Sequence, residues 1–90
     1  MKSCQALIRN ELGLHLRAAG SFVRLASQFE SKITVATKTS PAVDGKSILG
    51  LATQGASQGT ELFLTADGSD EDAALTALVG LIDDLFGEGK

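Results

Sequence analysis

The sequence predicts an α+β fold, an open-faced sandwich in which a four-stranded, mostly antiparallel sheet carries three helices on one of its faces. Two observations predict it. The hydrophobic period switches repeatedly along the chain, from about two residues to about 3.6 and back, in the order β-α-β-β-α-β-α. At 90 residues the chain is also the size of one small domain, so residues 1–90 are read as a single unit. All of its helical stripes must then find the same sheet to cover. Elements mixed in this order give an open-faced α+β sandwich of the ferredoxin-like kind.

Each element has its own signal. Residues 2–8 alternate, with Cys4, Ala6 and Ile8 on one side and Ser3, Gln5 and Leu7 on the other, and read as a first strand. Asn10-Glu11-Leu12-Gly13 is a turn. From Leu16 the period changes. Ala19, Phe22, Val23, Ala26 and Phe29 recur at spacings of three and four, while Arg17, Ser21, Arg24, Gln28 and Glu30 lie largely off that stripe. Gly20 costs this helix about 1 kcal/mol relative to Ala, a cost that often signals close packing. Residues 32–37 alternate and are rich in β-branched side chains, the mark of a strand. Thr39-Ser40-Pro41 turns the chain, Ala42-Val43 returns as a short strand, and Asp44-Gly45 ends it. Residues 47–53 form a brief helix with Ser47 as its N-cap, and Gly55 and Gly59 bracket the loop that follows. Residues 60–66 are the last strand, with Leu62, Leu64 and Ala66 on one face and Glu61, Phe63 and Thr65 on the other. After the Asp67-Gly68 turn, Ser69 opens a capping-box-like signature with Asp72 three residues on. Ala74, Leu75, Leu78, Val79, Ile82, Leu85 and Phe86 continue a helical stripe that Gly87 stops.

Composition narrows the function. The hydrophobic fraction of 43% is enough for a core, and aromatic residues make up only 4%. With 8 basic against 11 acidic residues, the net charge is −3. That balance disfavours nucleic-acid binding, which normally shows a basic patch, and a polybasic membrane anchor. No segment approaches the roughly 20 apolar residues of a membrane span. Residues 1–9 lack the apolar core of a signal peptide, so a cytoplasmic protein is expected. The single Cys, Cys4, excludes an internal disulfide and reads as a small core residue. One Cys and one His cannot make a four-ligand zinc site, and neither metal nor cofactor is expected.

The single His stands where a turn becomes a helix, in Leu12-Gly13-Leu14-His15-Leu16-Arg17-Ala18-Ala19. The first turn of a helix presents unpaired backbone N–H groups and the positive end of its dipole, which together bind anions. An imidazole there can offer a ring nitrogen as nucleophile, since imidazole titrates near neutral pH and a large share is unprotonated. A phosphoryl group on it would meet the N–H groups of Leu16 and Arg17, and the Arg17 guanidinium could add a charge-assisted fork. By residue chemistry alone, His15 reads equally well as nothing more than a helix cap.

Gly13-Leu14-His15-Leu16-Arg17-Ala18-Ala19 resembles the active-site segment of the histidine-containing phosphocarrier (HPr) family of the phosphotransferase system. Gly45-Lys46-Ser47-Ile48-Leu49-Gly50-Leu51 resembles that family's second signature, around a regulatory serine. Gln58-Gly59-Thr60 and Ala66-Asp67-Gly68-Ser69-Asp70-Glu71 also fit, and the likeness runs from about residue 6 to residue 86. The resemblance implies an open-faced β-sandwich and a phosphoryl carrier rather than a self-sufficient enzyme. His15 would accept a phosphoryl group from phosphoenolpyruvate by way of enzyme I, on the ring nitrogen nearer the main chain, and pass it to a IIA domain. Arg17 would stabilise the phosphate. It further implies phosphorylation of Ser47 by HPr kinase/phosphorylase, and docking of partners on Leu14, Leu16, Ala18, Ile48, Leu49 and Ala52. Arg24 and Lys46 read either as a basic rim to that surface or as a solvated face. Where the family usually has Pro after the Arg, this chain has Ala18, which can occupy the same turn but stiffens it less.

A monomer suffices for this role. The acidic end Asp83-Asp84…Glu88 reads as a solvated helix face. The nearest rival is a regulatory HPr-like protein acting mainly through Ser47 phosphorylation and protein binding. A small-molecule-binding regulatory domain that dimerises through its sheet would need no reactive His. An RNA-binding α+β domain is disfavoured by the charge and by the lack of paired aromatics on strands.

Overall fold

A computed structural model describes residues 1–87. Strand β1 (Lys2–Leu7) is followed by helix α1 (Leu16–Ala26), β2 (Lys32–Ala36), the two-residue β3 (Val43–Asp44), the short helix α2 (Ile48–Ala52), β4 (Glu61–Asp67) and α3 (Glu71–Asp83). The strands form one sheet in the order β1-β4-β2-β3, and every neighbouring pair is antiparallel. β1 and β2, joined by α1, therefore run parallel to each other with β4 intercalated between them: a split β-α-β unit. The register sets Cys4 opposite Leu64 and Ala6 opposite Leu62, with Val35 across Leu64 and Ile33 across Ala66 on the other side.

The alternation does what it predicts. Ala6 and Ile8, Ile33 and Val35, and Leu62, Leu64 and Ala66 are buried on the inner face, where they meet Phe22 and Ala26 of α1, Leu51 of α2 and Leu78 and Ile82 of α3. Burying a side chain of this size contributes about 1.5–3 kcal/mol relative to leaving it in water. Cys4 is half-buried at the edge of this core, and burial pushes its thiol pKa up. Ser3, Gln5, Leu7, Phe63 and Thr65 stand exposed or half-buried on the open face.

Several boundaries differ from expectation: β1 and β2 end one residue sooner, α2 is one residue shorter at each end, and β4 is shifted one residue on. β3 takes Val43 and Asp44 rather than Ala42 and Val43. Helix α1 ends at Ala26, and Phe29 packs half-buried from the turn beyond it. The α3 stripe was expected to run through Leu85 and Phe86, but the helix stops at Asp83, and Leu85 and Phe86 take left-handed φ values of 57° and 54°. This turn folds Phe86 back into the core. Of the expected acidic face, Asp83 and Asp84 are exposed, and Glu88 lies outside the described residues.

The start of α3 also departs from the expected Ser69 capping box. Asp70 occupies the N-cap, yet its carboxylate makes no cap bond. It turns instead to the α1–β2 turn, where it accepts the N–H groups of Glu30 (2.8 Å) and Ser31 (3.0 Å) and the Ser31 hydroxyl. Those donors outcompete the helix's own amides. Gly68 allows the approach, because a Cβ there would lie 2.7 Å from the Ser31 Cα. The Gly68 N–H donates to Glu71 Oε1 (3.2 Å), closing the turn from the other side. The Ser31 hydroxyl, followed by the Glu30 amide, holds the Asp70 carboxyl below the usual carboxylate range. The Gly68 amide does the same for Glu71. A lowered folded pKa contributes stability that is present above the unfolded value, about 3.9 for Asp, and is lost as pH falls through the folded value. Asp70→Ala should therefore lower the urea midpoint at pH 7 and flatten the loss of stability below about pH 4. Urea titrations at stepped pH check this, and an acid slope as steep as that of the parent chain would contradict it.

Candidate functional site

His15 is held from both sides. On its N-terminal side, residues 8–14 are fastened to residues 56–60. The Gly59 N–H donates to Ile8 O (2.8 Å), the Ile8 N–H to Thr60 O (2.9 Å), and the Leu14 N–H to Ala56 O (2.8 Å). Gln58 Nε2 donates to Arg9 O (3.0 Å). Gly13 sits at φ +67°, and a Cβ on it would lie 2.4 Å from Ala56 O. The chain can approach so closely only because that atom is missing.

On its C-terminal side, His15 is the N-cap of α1, with extended backbone (φ −80°, ψ 179°). Its Nδ1 accepts the Arg17 N–H at 3.2 Å, and its carbonyl accepts the Ala19 N–H at 2.8 Å. Accepting at Nδ1 means that the lone pair points at the helix N-terminus, and that the proton of a neutral ring sits on Nε2. The ring is half-buried. Leu16, Arg17 and Ala18 supply the amides of the first turn, whose N–H groups have no partner within the helix. No acidic residue lies in that turn. His15 Nδ1 thus faces the amides of the first turn of α1.

The other expected site residues divide. Arg17 is exposed beside His15. Leu16 (66% exposed), Leu49 (73%) and Ile48 present apolar side chains to solvent. Leu14 and Ala18, expected at a docking surface, are instead buried, 3% and 0% exposed. The segment 12–15 is a turn rather than a strand, and it sends Leu14 into the core while Leu12 and Leu16 point out. Ala18 faces inward from the first turn of α1. Ala52 is half-buried. The Lys46 ammonium is not a free rim charge, because Nζ donates to Phe29 O at 2.7 Å and ties the start of α2 to the turn after α1. Arg24 is exposed, with Nη2 on the Ser21 hydroxyl (3.2 Å). Among the described residues, and apart from α1's own backbone, a Cβ on Gly20 would meet only that guanidinium, at 3.5 Å, so no close backbone contact accounts for the glycine.

Ser47 caps α2 as expected, its Oγ accepting the Gly50 N–H at 3.0 Å. α2 packs against α1, so the two N-caps belong to neighbouring helices. Sequence reasoning passed over Leu12, 72% exposed beside the site, and treated Asn10 as an ordinary turn residue although it is fully buried. Its one signal was an amide three residues ahead of a turn glycine. Among the described residues, no group of three or more His, Cys, Asp or Glu is placed to hold a metal ion, and no helix is long and apolar enough to cross a membrane.

A family model described as the PTS HPr component phosphorylation site matches residues 2–84. The chain is 49% identical over 83 residues to the phosphocarrier protein HPr of Neisseria meningitidis serogroup B, covering 92% of each chain. It is 42% identical over 90 residues to the phosphocarrier protein HPr of Pseudomonas aeruginosa, covering 100% of both. Its fold superposes on the crystal structure of HPr-C-His from Thermoanaerobacter tengcongensis with a TM-score of 0.91 at 46% identity, over 98% of each chain.

Proposed function

Because the chain belongs to the HPr family of phosphocarrier proteins of the phosphotransferase system, we propose that it carries a phosphoryl group on His15 Nδ1, taken from phosphorylated enzyme I and handed to IIA domains. The observation that carries this reading is the direction of the ring: Nδ1 faces the Arg17 amide at the start of α1. The Nδ1 lone pair attacks phosphorus in line as the N–P bond of the donor's phosphohistidine breaks, and the donor imidazole leaves with that electron pair. As Nδ1 gives up its lone pair, the Arg17 N–H moves from the ring nitrogen to a phosphoryl oxygen. The Leu16 and Ala18 amides and the Arg17 guanidinium hold the remaining charge. No proton need leave the ring, since Nε2 keeps its own.

The exposed Leu12, Leu16, Ile48 and Leu49 form the apolar part of the docking surface in this reading, with Arg17 and Arg24 as its basic part. The carrier is one domain, works as a cytoplasmic monomer and needs no cofactor. A crystal structure of an HPr dimer from T. tengcongensis gives the contrasting state against which sedimentation equilibrium can be read. Incubation with phosphoenolpyruvate and enzyme I should place an acid-labile, base-stable phosphate on the chain. Absence of such a label would end the reading.

Ser47 is the proposed site of regulatory phosphorylation by HPr kinase/phosphorylase. Its hydroxyl oxygen lies at a helix start, where an added charge of about −1.5 to −2 is tolerated. That charge would sit beside exposed Ile48 and Leu49 and repel an acidic partner. Ser47→Ala should remove any label acquired from ATP and the kinase, and should cost about 1 kcal/mol through loss of the cap to Gly50. Mass spectrometry after kinase treatment, with urea unfolding of the same variant, checks both parts. An ATP-dependent label that survives Ser47→Ala would move the regulatory site elsewhere.

A further inference from the structure

The geometry points to Asn10 as a positioning residue for His15, acting through the turn that delivers the ring to the helix start. Asn10 is 0% exposed, one of only two buried polar or charged residues among those described. Its Nδ2 donates to Gly13 O at 2.8 Å, and the Gly13 N–H donates back to Asn10 O at 3.2 Å. One side-chain and one main-chain hydrogen bond thus close residues 10–13 into a tight turn. The next residue, Leu14, is locked by its amide to Ala56 O and by burial of its side chain. His15 follows directly, so the turn sets the direction from which its backbone enters α1 and hence where Nδ1 falls relative to the Arg17 amide. A buried amide is costly to place without partners. An apolar residue at position 10 could fill the space but could not satisfy the Gly13 carbonyl, and that carbonyl would be free to turn away.

This inference rests on the proposed role of His15, so its test needs a readout independent of phosphoryl transfer. Asn10→Ala, labelled with ¹⁵N, is compared with the parent chain and with Ile82→Val, a core variant in α3 away from the site. Long-range ¹H–¹⁵N spectra report the state of the His15 ring nitrogens, and the Arg17 amide resonance reports its bond to Nδ1. In folded Asn10→Ala the Nδ1 and Arg17 amide signals should shift, and label from phospho-enzyme I should form about 10-fold more slowly or worse, the scale expected for a displaced reacting atom. Ile82→Val should show neither change. Unmoved ring and amide signals, or a labelling rate within about two-fold of the parent, would overturn the assignment. If the parent itself takes no label, the proposed function fails and the spectra alone decide on Asn10. Asn10→Ser, which keeps a short donor, carries the same readouts if Asn10→Ala does not fold.

Discussion

Replacing His15 with alanine is expected to abolish the label from phosphoenolpyruvate and enzyme I outright, while leaving a folded protein. The loss should be complete, because His15 is the only histidine in the sequence. The cost to the fold should be small. The ring is half-buried, and it caps the helix by accepting the Arg17 N–H, a bond worth about 1 kcal/mol as a cap. Arg17→Ala should behave differently. It keeps the nucleophile and the main-chain amides and loses only the guanidinium, so labelling should persist but slow by about 10²-fold. Rapid-quench labelling with isotopic phosphoenolpyruvate separates the two outcomes. A label retained in His15→Ala would place the acceptor elsewhere.

Gly13→Ala is expected to be the most damaging single substitution for the fold, and to damage the site with it. The new Cβ would lie 2.4 Å from Ala56 O and 2.7 Å from Ser57 Cα. Both are backbone atoms that cannot swing aside as a side chain can. The left-handed φ of +67° adds about 1–2 kcal/mol for any residue with a Cβ. Relief of the overlap costs about 1–3 kcal/mol more, so a total near 3 kcal/mol follows. For a chain of this length that corresponds to a fall in Tm of about 12–24 °C. The strain can be relieved only by parting residues 13–14 from residues 56–57, which breaks the bond from the Leu14 N–H to Ala56 O and frees the base of His15. Calorimetry and labelling rate should therefore fall together. A Tm within about 3 °C of the parent would show that the loop yields easily and that the close approach is not what holds the site.

Much of this was legible in the chain. The inward positions of β1, β2 and β4, the stripe of α1 and the Ser47 cap are local patterns, each carried by residues within a few positions of one another. His15 before a helical stripe, with Arg17 two residues on, is local as well, and His15 does stand at the N-cap of α1 with its ring against the Arg17 amide. The misplaced residues owe their positions to partners far along the chain. Leu14 is buried because its amide meets Ala56. Lys46 reaches Phe29, and Asp70 leaves its own helix for Glu30 and Ser31, 40 and 39 residues away. Leu85 and Phe86 continue an apolar spacing indistinguishable from helix, yet the chain reverses there to bury Phe86. Periodicity reports which residues are apolar and does not report which long-range donor will claim a given acceptor.

The intercalation of β4 between β1 and β2 has a consequence for the order in which the molecule comes into being. Neither flanking strand has its main hydrogen-bonding partner until residues 61–67 have been synthesised and threaded into the middle of the sheet. The props beneath His15, residues 56–60, arrive at nearly the same moment. A nascent chain that has displayed its histidine, its arginine and the whole of α1 is thus still without a platform to aim them. Long-range pairing of this sort is completed late and cooperatively. The segment around His15 should therefore pass from unsupported to fully held in one step, once β4 has entered the sheet.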